Sequence, residues 1–255
     1  MEKVQNKKNK EFQLVSIIMP VYNERKTIEA IVERVQKVEI HKELIIVDDG
    51  STDGTREWLY EQFGQESGDE KASKNESCES MADRPQVQVL VHQNNHGKGA
   101  ALKTGFQHAR GEIVIVQDAD LEYSPEEYPR LLAPLITDRA DVVYGSRFLG
   151  SSGGKWPLVS YLGNKIFTML TNAATGLSLT DVWTGYKVFK KEVLKDLSLE
   201  ESRFDMELEL TVKIAQGNWR VIEVPISYSP RSKADGKKIR WRDGIQSIKT
   251  LRRYR

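Results

Sequence analysis

A single cysteine, Cys78, is all the thiol this chain has, and it lies in a polar stretch. No intrachain disulfide can form, and such sparing use of cysteine fits a reducing cytoplasm. Net charge is almost absent as well: Lys+Arg 38 against Asp+Glu 37 leaves +1, which points to no class of partner. Long apolar runs are missing. The best membrane candidate, Trp156–Leu177, has about the ~20 residues a span needs. It contains Pro157, Gly163, Asn164, Lys165 and Asn172, and a central Lys costs roughly 2.5–3.5 kcal/mol in a spanning helix. The segment therefore does not read as a span, while an interfacial or groove-lining helix stays open. Met1–Glu11 is rich in Lys and Asn and lacks an apolar core, so it does not read as a secretory signal. Glycine-based nucleotide motifs fail too. Gly97-Lys98-Gly99 has Leu102 where a third glycine would stand, and no Gly-Lys-Ser/Thr closes a Walker-type loop.

What is present is an ordinary globular composition, 39% hydrophobic and 29% charged, in a length that suits one large domain with appendages. The most informative stretch is Glu112–Tyr123. Ile113-Val114-Ile115-Val116 reads as a strand buried on both faces, and Asp118, Asp120 and Glu122 follow at its end. Two carboxylates one residue apart at a strand end can grip Mg2+ or Mn2+, which take oxygen ligands and leave positions for phosphate. A solvated acidic turn explains the same pattern, because Asp-x-Asp is short.

The chain before and after keeps one rhythm. Leu14–Met19 reads as a strand closed by Pro20, and Thr27 caps a helix to about Lys37. Leu44–Val47 is a second strand, running into Asp48-Asp49-Gly50-Ser51-Thr52-Asp53-Gly54-Thr55 and a helix over Arg56–Phe63. Val87–Val91 is a third, and Asn94–Ala101 begins the next helix. Ser124-Pro125-Glu126-Glu127 starts another helix, and Asp141–Gly145 is a short strand leading to Ser146-Arg147-Phe148. Ser151–Asp181 departs from the rhythm; then Thr184–Phe189 reads as strand, Phe204–Gln216 as helix and Trp219–Tyr228 as strand. Alternating strands and helices predict an α/β fold with a mostly parallel sheet, whose ligands bind beyond the carboxyl ends of its strands. The polar loops after Met19, Val47 and Gln117 all fall at that edge.

Three appendages are expected around a main domain over residues 14–230: a flexible tail over 1–13, a polar surface insertion over 65–85, and a basic mobile loop with a C-terminal amphipathic helix over 231–255. From Arg231 onward ten Lys and Arg face two Asp. Trp241, Ile245, Ile248 and Leu251 recur at helical spacing. Packing on the domain and docking on an anionic membrane, at about 1 kcal/mol for each Lys or Arg near the surface, both account for this tail. Nucleic acid is not expected as a partner, since no nucleic-acid module accompanies the charge.

Taken together, Ile17-Ile-Met-Pro-Val-Tyr-Asn-Glu24, Ile46-Val-Asp-Asp-Gly-Ser-Thr-Asp-Gly-Thr55, Asn95-His-Gly-Lys-Gly-Ala100, Asp118-Ala-Asp120 and Gly145-Ser-Arg-Phe148 resemble family 2 glycosyltransferases of the GT-A fold. Phe204-Asp-Met-Glu-Leu208 and Glu223-Val-Pro-Ile-Ser-Tyr228, with Arg231 and Gly236-Lys-Lys238, look like the branch of dolichol-phosphate mannosyltransferases and dolichyl-phosphate glucosyltransferases. In contrast, Gln216-Gly-Asn-Trp219-Arg220 does not match the Gln-x-x-Arg-Trp signature of processive polysaccharide synthases. The resemblance implies a Rossmann-like, mostly parallel sheet flanked by helices, and an inverting, metal-dependent transfer. Mannose or glucose would move from GDP-mannose or UDP-glucose to polyprenyl or dolichyl phosphate.

Carried over residue by residue, it implies that Pro20, Tyr22, Glu24, Asp48, Asp49, Lys98, Asp118 and Ala119 bind the donor. Asp118, Asp120 and Glu122 would hold Mg2+ or Mn2+, and Asp118, Asp120, Arg147, Arg231 and Lys237 would serve catalysis. Partners would be the nucleotide-diphospho-sugar, polyprenyl phosphate and an anionic membrane surface, with the protein peripheral at the cytoplasmic face. A lipid phosphate, with a second pKa near ~6, needs no general base. Two alternatives remain: a soluble or glycolipid hydroxyl acceptor, for which Asp181 would be the base, and a non-catalytic nucleotide-binding, membrane-associated protein.

Overall fold

A computed structural model describes residues 14–64, 86–149, 158–195, 197, 199–202, 205–231 and 253–254. The insertion expected over 65–85, most of the basic tail including Lys237, and the N-terminal 13 residues lie outside them. Seven strands form one sheet: β1 (Val15–Val21), β2 (Lys42–Asp49), β3 (Val87–His92), β4 (Ile113–Val116), β5 (Val142–Ser146), β6 (Lys187–Lys190) and β7 (Val221–Pro225). Their order is β3-β2-β1-β4-β6-β5-β7. Every pairing is parallel except those of β6, which runs against both β4 and β5. The α/β architecture with a mostly parallel sheet stands as expected.

Neighbouring residues along the central strands face opposite ways, as the two-residue period of a strand requires. Ile17, Met19, Ile46 and Ile115 enter a core shared with α1 (Ile28–Lys37), α2 (Thr55–Phe63) and α4 (Tyr128–Ile136). Ile18, Ile45, Val114 and Val116 enter a second core with α3 (Lys98–His108) and α7 (Met206–Gln216). These side chains are 0–3% exposed, and full burial of an aliphatic side chain contributes about 1.5–3 kcal/mol. Apolar residues on both faces are what a sheet covered on both sides demands. The remaining helices are α5 (Leu158–Thr175) and the short α6 (Lys191–Lys195).

Two local expectations change. Pro20 does not end β1: the strand runs on to Val21, with Pro20 opposite Val47 on β2. On its other side β4 pairs only as far as Ile18, so the missing Pro20 amide leaves no ladder bond unmade. Thr27 precedes α1 but makes no side-chain cap bond; its hydroxyl donates to Glu24 Oε2 at 2.8 Å.

Candidate active site

The strand end comes first. Gln117 is fully buried, and its side-chain oxygen accepts from the hydroxyls of Tyr128 and Tyr186, each at 2.7 Å. Its amide donates to the Asp118 carbonyl at 2.9 Å, which fixes the turn that carries the carboxylates. Leu121 has φ +61°, a left-handed conformation unusual for a bulky side chain. Beyond that turn Glu122 accepts from the Tyr228 hydroxyl at 2.8 Å and from the Arg231 amide at 3.0 Å.

Asp118 and Asp120 are held by different cations. Lys98 Nζ, on the first residue of α3, lies 2.7 Å from Asp118 Oδ1. The Arg231 guanidinium lies 2.8 Å from Asp120 Oδ2 and also 2.8 Å from Glu24 Oε1. Side-chain exposure is 19% for Asp118 and 17% for Asp120. Two hard oxygen donors at the carboxyl edge, each neutralised by an exchangeable cation from another element, fit a divalent ion with positions left for phosphate. Glu122 is engaged with Tyr228 and the Arg231 amide, as Asp118 and Asp120 are with Lys98 and Arg231. Among the described residues no three His, Cys, Asp or Glu side chains converge as a metal cluster.

The nucleotide side is built by three loops that hold each other. Asn23 N donates to Ser51 Oγ at 2.9 Å, Glu24 N to Thr55 Oγ1 at 3.0 Å and Thr52 N to Asn23 Oδ1 at 2.8 Å. Gly50, at φ +79°, lets the second loop touch the third: a Cβ there would stand 2.6 Å from Asn95 N. Within this frame Tyr22 is exposed, while Ala119 is buried between the two aspartates. Asp48 and Asp49 are turned inward. Asp48, 0% exposed, pairs with Arg56 Nε at 2.8 Å. Asp49 accepts from His96 N at 3.0 Å and Gly97 N at 2.7 Å, and its other close partner is His92 Nδ1 at 2.7 Å. Both carboxylates hold these loops in place.

Arg147 is held by a carboxylate that the motifs do not name. Its guanidinium makes a bidentate pair with Asp181, 2.6 Å from Oδ2 and 2.8 Å from Oδ1, and also stands over the Tyr228 ring at 5.1 Å. Asp181 is 0% exposed and accepts as well from Asn164 Nδ2 at 3.1 Å. A carboxylate so enclosed is an anchor for Arg147 and is badly placed to take a proton from an acceptor.

Behind Asp118 lies a row that motif reading missed. Lys98 Nζ also bonds Glu207 Oε1 at 3.0 Å, and Glu207 Oε2 in turn meets Lys187 Nζ. Burial would lower the Lys98 ammonium, but the Asp118 and Glu207 carboxylates outweigh it and hold it above its ordinary value. Burial likewise opposes the Glu207 charge, yet Lys187 and Lys98 hold that carboxyl down to about 2. The available signal was charge where none is cheap: the first turns of α7 bury Glu207 and Glu209 among Met206, Leu208 and Leu210.

Comparison with known proteins bears on the family and the fold. Residues 16–198 match the model of glycosyl transferase family 2. A polyprenol monophosphomannose synthase of Mycolicibacterium smegmatis is 33% identical over 239 residues, covering 89% of this chain and 83% of that protein. An undecaprenyl-phosphate mannosyltransferase of Micrococcus luteus is 31% identical, covering 88% of this chain and 86% of that one. Among solved structures, glucosyl-3-phosphoglycerate synthase of Mycobacterium tuberculosis, crystallised with Mn2+, UDP and phosphoglyceric acid, superposes with a TM-score of 0.67. At 19% identity it covers 95% of this chain and 78% of that one, and it supports the fold alone.

Proposed function

The chain belongs to glycosyl transferase family 2 and is a hexosyltransferase, and from that premise we propose that it moves mannose or glucose from GDP-mannose or UDP-glucose to a polyprenyl phosphate with inversion. One observation carries the choice of acceptor: Asp181, the base a hydroxyl acceptor would need, is buried and locked to Arg147. A phosphate acceptor brings its own nucleophilic oxygen, largely dianionic at neutral pH. The names of the two mannosyltransferase relatives support the same acceptor class.

In this reading the three interlocked loops seat the nucleotide, with Tyr22 offering an exposed ring and Glu24 flanking the sugar side. Asp118 and Asp120 would hold Mg2+ or Mn2+, which when bound supplies positive charge to the diphosphate as it leaves. Arg231 exchanges its contacts with Glu24 and Asp120 for a phosphate, and Arg147, oriented by Asp181, meets the other. Two anions must approach one another, and fixed guanidinium groups offset their repulsion. The acceptor oxygen then bonds to C1 of the sugar as the bond from C1 to the diphosphate oxygen breaks, and no proton has to move.

The lipid acceptor calls for a membrane surface, and α5 offers one. Leu162, Ile166 and Met169 are 56%, 45% and 64% exposed along one side, while Asn164 and Lys165 of the same helix reach Asp181 and the Thr180 carbonyl. No helix among the described residues is long and apolar enough to cross a membrane. Resting α5 on the lipid would make the protein peripheral and set the phosphate of an embedded polyprenol beside Arg147.

The test is transfer in detergent from labelled GDP-mannose and UDP-glucose, offered to a short polyprenyl phosphate or to the matching polyprenol. Transfer to the phosphate alone is the expected result. Transfer to the alcohol at a comparable rate would overturn the acceptor assignment.

A further inference from the structure

The buried row behind Asp118 brings together three elements far apart in sequence. Lys187 begins β6 and is 2% exposed. It lies on the same face as Phe189, toward α3 and α7, while Val188 between them joins the opposite core. Its ammonium donates to the Thr184 carbonyl at 2.5 Å and meets Glu207, which is 8% exposed in the first turn of α7. Glu207 holds Lys98, and Lys98 holds Asp118. Charges therefore alternate from the core to the rim of the site: cation, anion, cation, anion.

The position of Lys98 within this row has a chemical consequence. An ammonium that also faces a second carboxylate keeps a partner when an incoming ion takes the first, so in a poorly screened interior it is displaced at less cost than an ammonium with one. Without Glu207, Lys98 would settle wholly on Asp118, and a divalent ion would then have to displace a tighter competitor. Gly185 keeps the other side of Asp118 clear: a Cβ there would come 2.4 Å from Oδ2.

We propose that Glu207 is a positioning residue for the donor site: fixed by Lys187, it draws Lys98 back from Asp118 and so keeps that carboxylate able to accept a divalent ion. The inference rests on Asp118 being a metal ligand, as read above, and extends it to residues that touch neither donor nor acceptor.

The direct readout is Mn2+ binding, followed by the electron paramagnetic resonance of free Mn2+, with full-length protein and saturating GDP or UDP. E207Q keeps the shape and loses the charge, and its Mn2+ dissociation constant should rise about tenfold. K98M removes the competitor and should lower that constant below the wild-type value. Because Glu207 acts through Lys98, K98M/E207Q should match K98M, where a merely structural role would leave the two changes independent. Should E207Q fail to fold, K187M/E207M removes the inner pair together, a replacement that buried ion pairs often tolerate, and takes its place in the cycle. Unchanged Mn2+ binding in E207Q, or a double variant that shows the product of the single effects, would overturn the proposal. A wild-type protein that binds no Mn2+ with either nucleotide would instead sink the metal reading, and this one with it.

Discussion

Both ends of the sheet bury carboxylates beside cations, and only one end looks like a site. At the amino end Glu43, 3% exposed, accepts from Ser16 Oγ at 2.5 Å, from Arg110 N at 2.7 Å and from Arg110 Nε at 2.6 Å. Gly111 N then donates to Ser16 Oγ at 2.7 Å, tying the starts of β1 and β4 together. Hydrogen bonding by Ser16 and Arg110 keeps the Glu43 carboxyl below its ordinary range, against the opposing effect of burial. Those partners are the Arg110 backbone amide, the Ser16 hydroxyl and one guanidinium closing on one carboxylate. At the carboxyl end the cations are shared: Lys98 divides between Asp118 and Glu207, and Arg231 between Asp120 and Glu24. Sharing alone does not mark a site, because at the amino end Lys190 and Arg220 each reach both Asp138 and Asp141. The contrast with Glu43 teaches that shared cations point to ligand exchange only where they meet the loops at the carboxyl edge of the sheet.

The sharpest way to break that contrast is to remove one charge at each end. Asp120→Ala should cost about two or more decades in transfer rate, as loss of a principal electrostatic stabiliser does; a rate within threefold of wild type would refute its role. Glu43→Gln should do the opposite, lowering unfolding free energy in urea by about 2–4 kcal/mol while the folded fraction keeps its transfer rate. A dead but well-folded E43Q would show the two ends to be coupled. A smaller effect sharpens the picture of the outer surface. Leu162→Glu with Met169→Glu should reduce co-sedimentation with anionic vesicles about tenfold and leave transfer to a short, detergent-solubilised acceptor in place; undiminished sedimentation would move the anchor to another segment.

One further prediction concerns acid stability. Glu207 is held at about 2 against an ordinary 4.5. The folded pKa is the lower one, so the unfolded chain takes up the proton first as pH falls. The stability this carboxylate contributes is complete above about 4.5 and is lost as pH drops toward 2. Replacing it with Gln should flatten that part of the urea-stability profile by on the order of 3 kcal/mol. An acid limb as steep as in the wild type would assign the loss to other carboxylates.

Much of this was legible because the relevant physics is local. Ile113–Val116 and Ile45–Val47 declare buried strands by their own residues, and the loops after them sit at the edge where a parallel sheet binds its ligands. Pairings across the fold were not legible. Nothing near Arg147 names Asp181 as its partner, so Asp181 read as an available base. Asp48 and Asp49 sit in an exposed-looking turn, and only the folding of Gly97 and Arg56 over them turns their carboxylates inward. Lys187 and Glu207 lie in segments that read only as strand, helix and motif, and nothing local to either names their meeting.

The reversed strand β6 has one more consequence. Its neighbours deliver their last residues to the site, but β6 delivers its first, with Gly185 just ahead of it and Lys187 at its head. The sheet's hydrogen-bond ladder thus acts as a reading frame for the charge row. A one-residue slip of β6 would turn Lys187 to the opposite core and bring Val188 against Glu207. An insertion or deletion between Gly185 and Lys187 should therefore disable the site as a frameshift disables a message, with every site residue still present in the chain.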